Sequence, residues 1–590
     1  MYATTSYPTY AISAFLCVIP LVLAAPTNEK RQGRTCRYLP GDAGWPTDAE
    51  WSKLNSTIGG RLIRGIPLAQ HCYGSDYDPA ICASLQDDWI ETATYYDDPV
   101  NVMAPYWLNN TCSPFLGILA DPYATNTSSV PDPSCLSGNI AVYAIDVNNA
   151  ETVAQAFKFA TEKNIRLSIK NTGHDYIGRS SGQGSLALWM HNLKDISFFN
   201  YSSPEYTGPA AKAGAGVQFK DAYKLAADNG FRLTGGYCPT VGMTGGYVQG
   251  GGHGPLGASY GLAADNTLEF EVVTTDGRHL VASRTENSDL YWALSGGGGG
   301  NYALVLSLTI KAHVDGPVAG AALSFANSNS NLYWDAIGAF QRHLLTWNQV
   351  PGLALSFGFD NSAFHLNMAT WPGATKADIN TALSPFLQKL NTLKISTTYI
   401  SDVQDTFHSH FEKYGFPDEI YQTNSSLGGW LISPSMVQNN LSYILDSYKA
   451  IVTDPSTSVK RISAISGNLS HTHVGNKPGS NAVLEAWRDS LYTVNLAQGF
   501  APDASVKELQ AVQAKVNRWQ DMFKPLGGGA YINEATYDDV DWKNDYFGAN
   551  YDRLLRIKQK YDPNFALWQH TSVGADNYWE LNGAGRLCRV

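Results

Sequence analysis

Past residue 25 the sequence has no apolar run near the roughly 20 residues that a membrane-spanning helix needs. It has no cluster of Lys and Arg, and its formal net charge is -11. Nucleic acid and anionic membrane surfaces, which both demand concentrated positive charge, are thereby excluded as partners. No internal repeat and no low-complexity tract occurs. No G-x-G-x-x-G follows the first strand-like segment, which argues against a plain NAD-type fold. No second cysteine or short-spaced histidine accompanies Cys238, so a tetrahedral metal set is wanting and no metal is expected.

What is present starts with size. A chain of 590 residues, 44% hydrophobic, can bury a large core and support two domains. Its 15 Trp, 33 Tyr and 22 Phe are core builders first, and pocket liners for flat or sugar-like ligands second. The stretch Ala11 to Ala25, AISAFLCVIPLVLAA, reads as a signal segment (1–25) although no Lys or Arg precedes it. Lys30-Arg31 reads as a propeptide cut closing 26–31. Cys17 would leave with the signal, and the six other cysteines outside the glycine-rich centre can pair in 15 ways. Pairing neighbours joins Cys72 to Cys82 and Cys112 to Cys135, leaving Cys36 and Cys588 to tie the ends. Sequons at Asn55, Asn109, Asn126, Asn200, Asn424, Asn440 and Asn468 suit a secreted glycoprotein. In that setting Cys238 is the odd thiol that needs a reason.

From Gly138 the pattern runs strand, helix, strand, loop: Ile140 to Ile145, Ala150 to Lys163 and Ile165 to Ile169 lead into a loop at Gly173. A second unit has a strand near Ala211 to Ala215 and a helix over Phe219 to Asn229. A hairpin turning at Asp276-Gly277 joins Leu268–Thr274 to His279–Ala282, and a strand spans Ala303 to Ile310. Residues 320 to 515 alternate strands (Ala321–Phe325, Ala354–Phe359, Phe364–Ala369) with helices (Trp334–Trp347, Thr375–Leu393), which predicts an antiparallel sheet with helices on one face. Tyr546 to Lys560 reads as an amphipathic helix stopped by Pro563. His408/His410 and His471/His473, if on strands, would share a face as metal ligands; surface or pocket histidines are the plainer reading.

Three glycine loops, at Gly173, Gly245 to Gly254 and Gly296 to Gly300, each sit at a strand end. Such loops let backbone N–H groups approach a bulky anionic ligand such as a diphosphate cofactor.

Five motifs in order then resemble the berberine-bridge-enzyme-like branch of the vanillyl-alcohol-oxidase flavoproteins. They are Thr172-Gly173-His174-Asp175-Tyr176, Cys238-Pro239-Thr240-Val241, Gly261 to Asn266, Tyr531-Ile532-Asn533-Glu534 with Phe547 to Tyr551, and Tyr561-Asp562-Pro563. The likeness is greatest to secreted fungal members of the isoamyl-alcohol-oxidase-like and secondary-metabolism kinds. The resemblance implies an α+β fold: a two-lobed PCMH-type FAD-binding domain (133–318), an α+β substrate domain with an antiparallel sheet (319–515), and a C-terminal segment (516–590) returning to the FAD domain. Residues 32–132 would form a disulfide-bearing extension.

The resemblance also implies bicovalent FAD, bonded at 8α by His174 and at C6 by Cys238. That would explain the odd thiol, an inert buried cysteine being the rival. Further implied FAD contacts are Asn171, Thr172, Gly173, Asp175, Gly178, Gly242, Gly245, Gly246, Tyr247, Gly250, Gly252, His253, Gly261 and Asn533; His253 could equally just pack. Tyr247 falls where some members have a histidine, and one extra residue stands between Cys238 and Gly245. Tyr531, its pKa lowered by a cation or the flavin, or Glu534 would serve as base. Val241 would govern dioxygen access. The function implied is a secreted monomeric FAD oxidase acting on a small alcohol-type or natural-product substrate and dioxygen. A pathway enzyme coupling oxidation to cyclisation or dehydrogenation, and a flavin-free ligand-binding glycoprotein, are the alternatives.

Overall fold

The computed structural model describes residues 35–103, 112–115, 135–415, 423–455, 460–582 and 585–590. The signal segment, the dibasic site and the sequons at Asn109 and Asn126 lie outside the described residues. Among the described residues no helix is long and apolar enough to cross a membrane.

The first sheet holds β1 (Leu62–Arg64), β2 (Tyr143–Asp146), β3 (Leu167–Lys170) and β4 (Leu186–Trp189), in the order β1-β2-β4-β3. β2, β4 and β3 run parallel, and β1 closes the edge antiparallel. The crossover from β2 to β3 is the helix Ala150–Glu162. The Asn149 side chain caps it by accepting from Thr152 N, and its apolar stripe of Val153, Ala156, Phe157 and Ala160 is buried.

The second sheet follows with β5 (Ile196–Ser202) and β6 (Thr207–Gly214). The chain then passes through the helix Phe219–Asp228 and a short β7 (Phe231–Arg232), and adds β8 (Thr267–Val273), β9 (His279–Ser283) and β10 (Leu304–Lys311). The order is β5-β6-β10-β8-β9, antiparallel throughout, with β8 and β9 forming the hairpin expected at Asp276-Gly277. β11 (His313–Val314) returns to pair with β7.

The third sheet is larger. It comprises β12 (Val318–Ala326), β13 (Ala354–Phe359), β14 (Ala363–Pro372), β15 (Thr398–Gln404), β16 (Ser425–Ile432), β17 (Lys460–Ser466) and β18 (Tyr492–Gly499). All pairs are antiparallel, in the order β15-β12-β14-β13-β17-β18-β16. The helices Ser330–Trp347, Lys376–Thr392, Pro434–Val452 and Val506–Asp521 bury their apolar sides against one face. One helix departs from that expectation. Ser401 reaches Asn380 on the helical face, so its neighbour Asp402 points to the other. There Asp402 accepts from Tyr414 of the helix Phe407–Tyr414, which also packs on the helix Phe219–Asp228.

Both His-x-His pairs lie on helices, Phe407–Tyr414 and His471–Val474, rather than on strands. Residues two apart on a helix do not share a face, so neither pair offers two ligands to one ion. His410 is instead buried against Thr370, and His473 bonds Ala258 O. The C-terminal helix runs Tyr551–Tyr561, later than expected, because a π turn at Lys543–Phe547 and a tight turn at Gly548–Asn550 occupy its first residues.

The C-terminal segment returns to the first two sheets. Buried Lys558 donates to Asn301 O, Leu567 O and Asp562. Disulfides join Cys36 to Cys588, Cys72 to Cys82 and Cys112 to Cys135, the pairing expected from neighbours. The N-terminal extension also grips the first loop, because buried Lys170 at the end of β3 donates to Tyr95 O (3.2 Å) and Asp98 O (2.5 Å).

Candidate active site

Three strand ends and the open face of the third sheet enclose a cavity of about 840 Å³. The loop after β3 contributes Asn171, Thr172, Gly173, His174 and Asp175. The segment after β7 contributes Cys238, Val241, Gly242, Gly245, Gly246, Tyr247 and His253, and the C-terminal segment Tyr531, Asn533 and Glu534. These sites, up to about 360 residues apart in sequence, thus share one wall.

Gly178, Gly250, Gly252 and Gly261 stand outside the residues that line it. Gly250 stands directly behind it. A Cβ on Gly250 would stand 2.4 Å from Asn533 Nδ2, and Gly261 holds φ +85° beside Asp265.

Local geometry explains each placement. Asp175 accepts from Ile177 N and Ser180 N, which folds the first loop on itself. His174 Nε2 lies 2.6 Å from Thr240 Oγ1, two residues from Cys238. Among the described residues Cys238 is the cysteine outside the three disulfides. A π turn spans Met243–Tyr247, broken by non-helical backbone at Gly245. Tyr247 donates to His253 O, and Asn533 Nδ2 donates to Gly246 O and to Tyr531 Oη, each at 2.8 to 2.9 Å.

His253 is held between rings, stacked on Trp487 and edge-on to Tyr531. Its Nε2–H donates to Glu534 Oε1 at 3.0 Å, and Asn495 of β18 donates to Glu534 Oε2 at 3.1 Å. Burial pushes the Glu534 pKa up, but His253 and Asn495 together outweigh it and hold the carboxyl below its ordinary range. Tyr531 moves the opposite way from expectation. Burial, then the Glu534 charge, push its phenol far above ordinary, so it stays protonated.

Sequence reasoning missed Arg179. Its half-buried side chain donates to Ile532 O, His570 O and Thr571, stitching the first loop to the segment that carries Glu534. Partners so distant leave no local signal. Gln249 and Gln569 were also missed. Elsewhere, Asp539, Asp541 and Asp545 form a carboxylate group, but the Lys524 ammonium sits among them at 2.8 to 3.5 Å.

The wall suits a large polar cofactor. Nothing stands within 4 Å of a Cβ placed on Gly246, so backbone is bare to the cavity. Asn171 Oδ1, Tyr237 Oη and Gln569 Oε1 are buried on this wall without a hydrogen-bond partner, as acceptors and donors awaiting a ligand would be.

Comparison with known proteins agrees. Residues 142–283 match the FAD binding domain family, and residues 530–574 match the berberine and berberine-like family. The VAO-type flavoprotein oxidase VAO615 of Thermothelomyces thermophilus is 40% identical over 98% of this chain and 99% of its own. The crystal structure of VAO-type flavoprotein MtVAO615 from Myceliophthora thermophila C1 superposes with a TM-score of 0.85, covering 94% of this chain and all of that one. The bifunctional decalin synthase calF of Penicillium decumbens is 37% identical over 95% of this chain and 96% of its own. The glucooligosaccharide oxidase of Acremonium strictum, 19% identical, shares the fold with a TM-score of 0.61 over 74% of this chain and 92% of its own. With family, fold and cavity in agreement, the chain belongs to the berberine-bridge-like branch of the VAO-type FAD-linked oxidoreductases.

Proposed function

We propose that this chain is an exported, monomeric oxidase that oxidises an alcohol-type substrate with FAD held through both His174 and Cys238. The observation carrying this reading is that the His174 ring and the Cys238 segment meet on one cavity wall through Thr240. Because Nε2 of His174 is engaged by Thr240, its Nδ1 is the nitrogen for an 8α link. The Acremonium strictum glucooligosaccharide oxidase carries a 6-S-cysteinyl, 8α-N1-histidyl FAD, the same pair of residue types. The three disulfides fit an oxidising compartment.

FAD held there by His174 and Cys238 would supply the redox chemistry, accepting a hydride from the substrate carbon and passing two electrons to dioxygen to give hydrogen peroxide. The residues handle position and protons. Glu534, ionised and facing the cavity, accepts the hydroxyl proton. His253 fixes that carboxylate from behind, and Tyr531, protonated, serves as a hydrogen-bond donor rather than a base. Val241, on the wall three residues after Cys238, sets the room for dioxygen. The likeness to calF favours one variant of this reading, in which oxidation of a natural product is coupled to a further ring-forming step.

Acid denaturation tests the core of the proposal. Flavin should stay with the polypeptide in the wild type and in each of His174→Ala and Cys238→Ala, and leave only the double variant. Flavin released from the denatured wild type would overturn it.

A further inference from the structure

The sheet side of the cavity is mostly apolar and small, with Leu427, Ile465, Phe500 and Pro502 among its linings. One cation stands on it: Arg461, on β17. Of the two arginines lining the cavity, Arg179 is consumed by backbone carbonyls. Arg461 is exposed, and its side chain makes no hydrogen bond or ion pair among the described residues.

Among the described residues two carboxylates could compete for it. Asp360 feels its charge, but accepts from Ser362 N, Ser362 Oγ and Ala363 N. Glu534 is engaged by His253 and Asn495. The register places the cation relative to that base. Ser463 pairs with Asn495, which touches Glu534, and Arg461 pairs with Ala497, two residues further along. Two residues of strand are about 6.8 Å, and β13 runs into Asp360 just beyond Phe359, which pairs with Ile462, so Asp360 lies at the Arg461 end of β17.

We infer that Arg461 binds an oxyanion on the substrate, a carboxylate or a phosphate ester, separated by several bonds from the carbon being oxidised. The guanidinium fork matches such a group bidentately. The register offset suits an acid group several bonds from the reacting carbon better than the carboxylate of a 2-hydroxy acid, which adjoins that carbon. The substrate class is therefore an amphipathic hydroxy acid with its acid end remote from the reacting hydroxyl. This rests on the oxidase reading above.

The test titrates purified flavin-containing protein with octanoate, octyl phosphate and octanamide, following the flavin absorbance. Octanoate or octyl phosphate should bind about 10-fold tighter than octanamide, with the tighter of the two anions identifying the group. The ratio should fall toward one in Arg461→Gln, recover partly in Arg461→Lys, and shrink with added salt. Equal binding of acid and amide by the wild type, or an unchanged ratio in Arg461→Gln, would overturn the inference. Faster turnover of 2-hydroxyoctanoate than of 8-hydroxyoctanoate would overturn the spacing. Protein without flavin absorbance would defeat the oxidase reading instead.

Discussion

Replacing Asp265 by Asn removes one charge from a buried pair that ties the short helix Ala263–Asn266 to the segment after β17. Asp265 accepts from both Arg488 terminal nitrogens at 2.8 Å, and from Leu262 N, Asn476 and Asn481. Both side chains are about 5% exposed. Burial opposes ionisation of Asp265, but the hydrogen bonds and charge of Arg488 win, and its pKa is lowered. Removing one partner strands a desolvated guanidinium, which costs about 3 to 5 kcal/mol. In a chain of this length, with about 2.1 cal/mol/K of unfolding entropy per residue, that is a fall of roughly 3 °C in Tm. Urea unfolding should show the same loss as a lower midpoint at constant slope. Asp265→Leu with Arg488→Met should recover at least about 2 kcal/mol relative to the sum of the singles. Recovery stays incomplete, because the Leu262 and Asn481 donors lose their acceptor. The pH dependence has a fixed sign. A depressed folded-state pKa gives stability that is complete above the unfolded value, about 3.9, and that is lost as pH falls through the folded value. Asp265→Asn should therefore flatten the acid limb of the stability curve. Singles that cost under 1 kcal/mol, or a double variant that is simply additive, would refute the reasoning.

Glu534→Gln should slow flavin reduction by about 10²- to 10⁴-fold in single-turnover measurements. Asn495, whose Oδ1 is buried without a partner, can turn to accept from the new amide, so the loss reports on chemistry; a loss under 10-fold removes Glu534 as base. Val241→Leu should slow reoxidation by dioxygen while flavin reduction stays near wild type, and equal reoxidation would remove Val241 as the gate. In protein recovered from culture medium, glycopeptide mass spectrometry should find glycans on exposed Asn200 and Asn440. It should find none on Asn424, whose amide donates to Phe500 O within the cavity wall; a glycan there would contradict that placement.

Much of the fold was legible because its signals are local. The period-2 strands of the third sheet, the helix Ala150–Glu162 with its Asn149 cap, and the Asp276-Gly277 hairpin each lie within about 20 residues of sequence. Short polar segments misled. His408 to His410 and His471 to His473 carry no period that separates strand from helix, and the residues before Tyr551 form a π turn that no simple repeat predicts.

By itself the sequence determined which chemistry-bearing residues exist and in what order: a histidine in a glycine loop, an odd cysteine beside Pro239, an Asn-Glu pair near the C-terminus. Only the tertiary structure decided what they do together. It set Glu534 against His253 across 281 residues, lowering one pKa, and buried Tyr531 so that its own pKa rose. It moved Gly250 behind the wall and brought Arg179 and Arg461 onto it. Protonation states and cavity walls depend on burial and on neighbours far away in the chain. Both come into being when the sheets pack, and neither is written in any short run of residues.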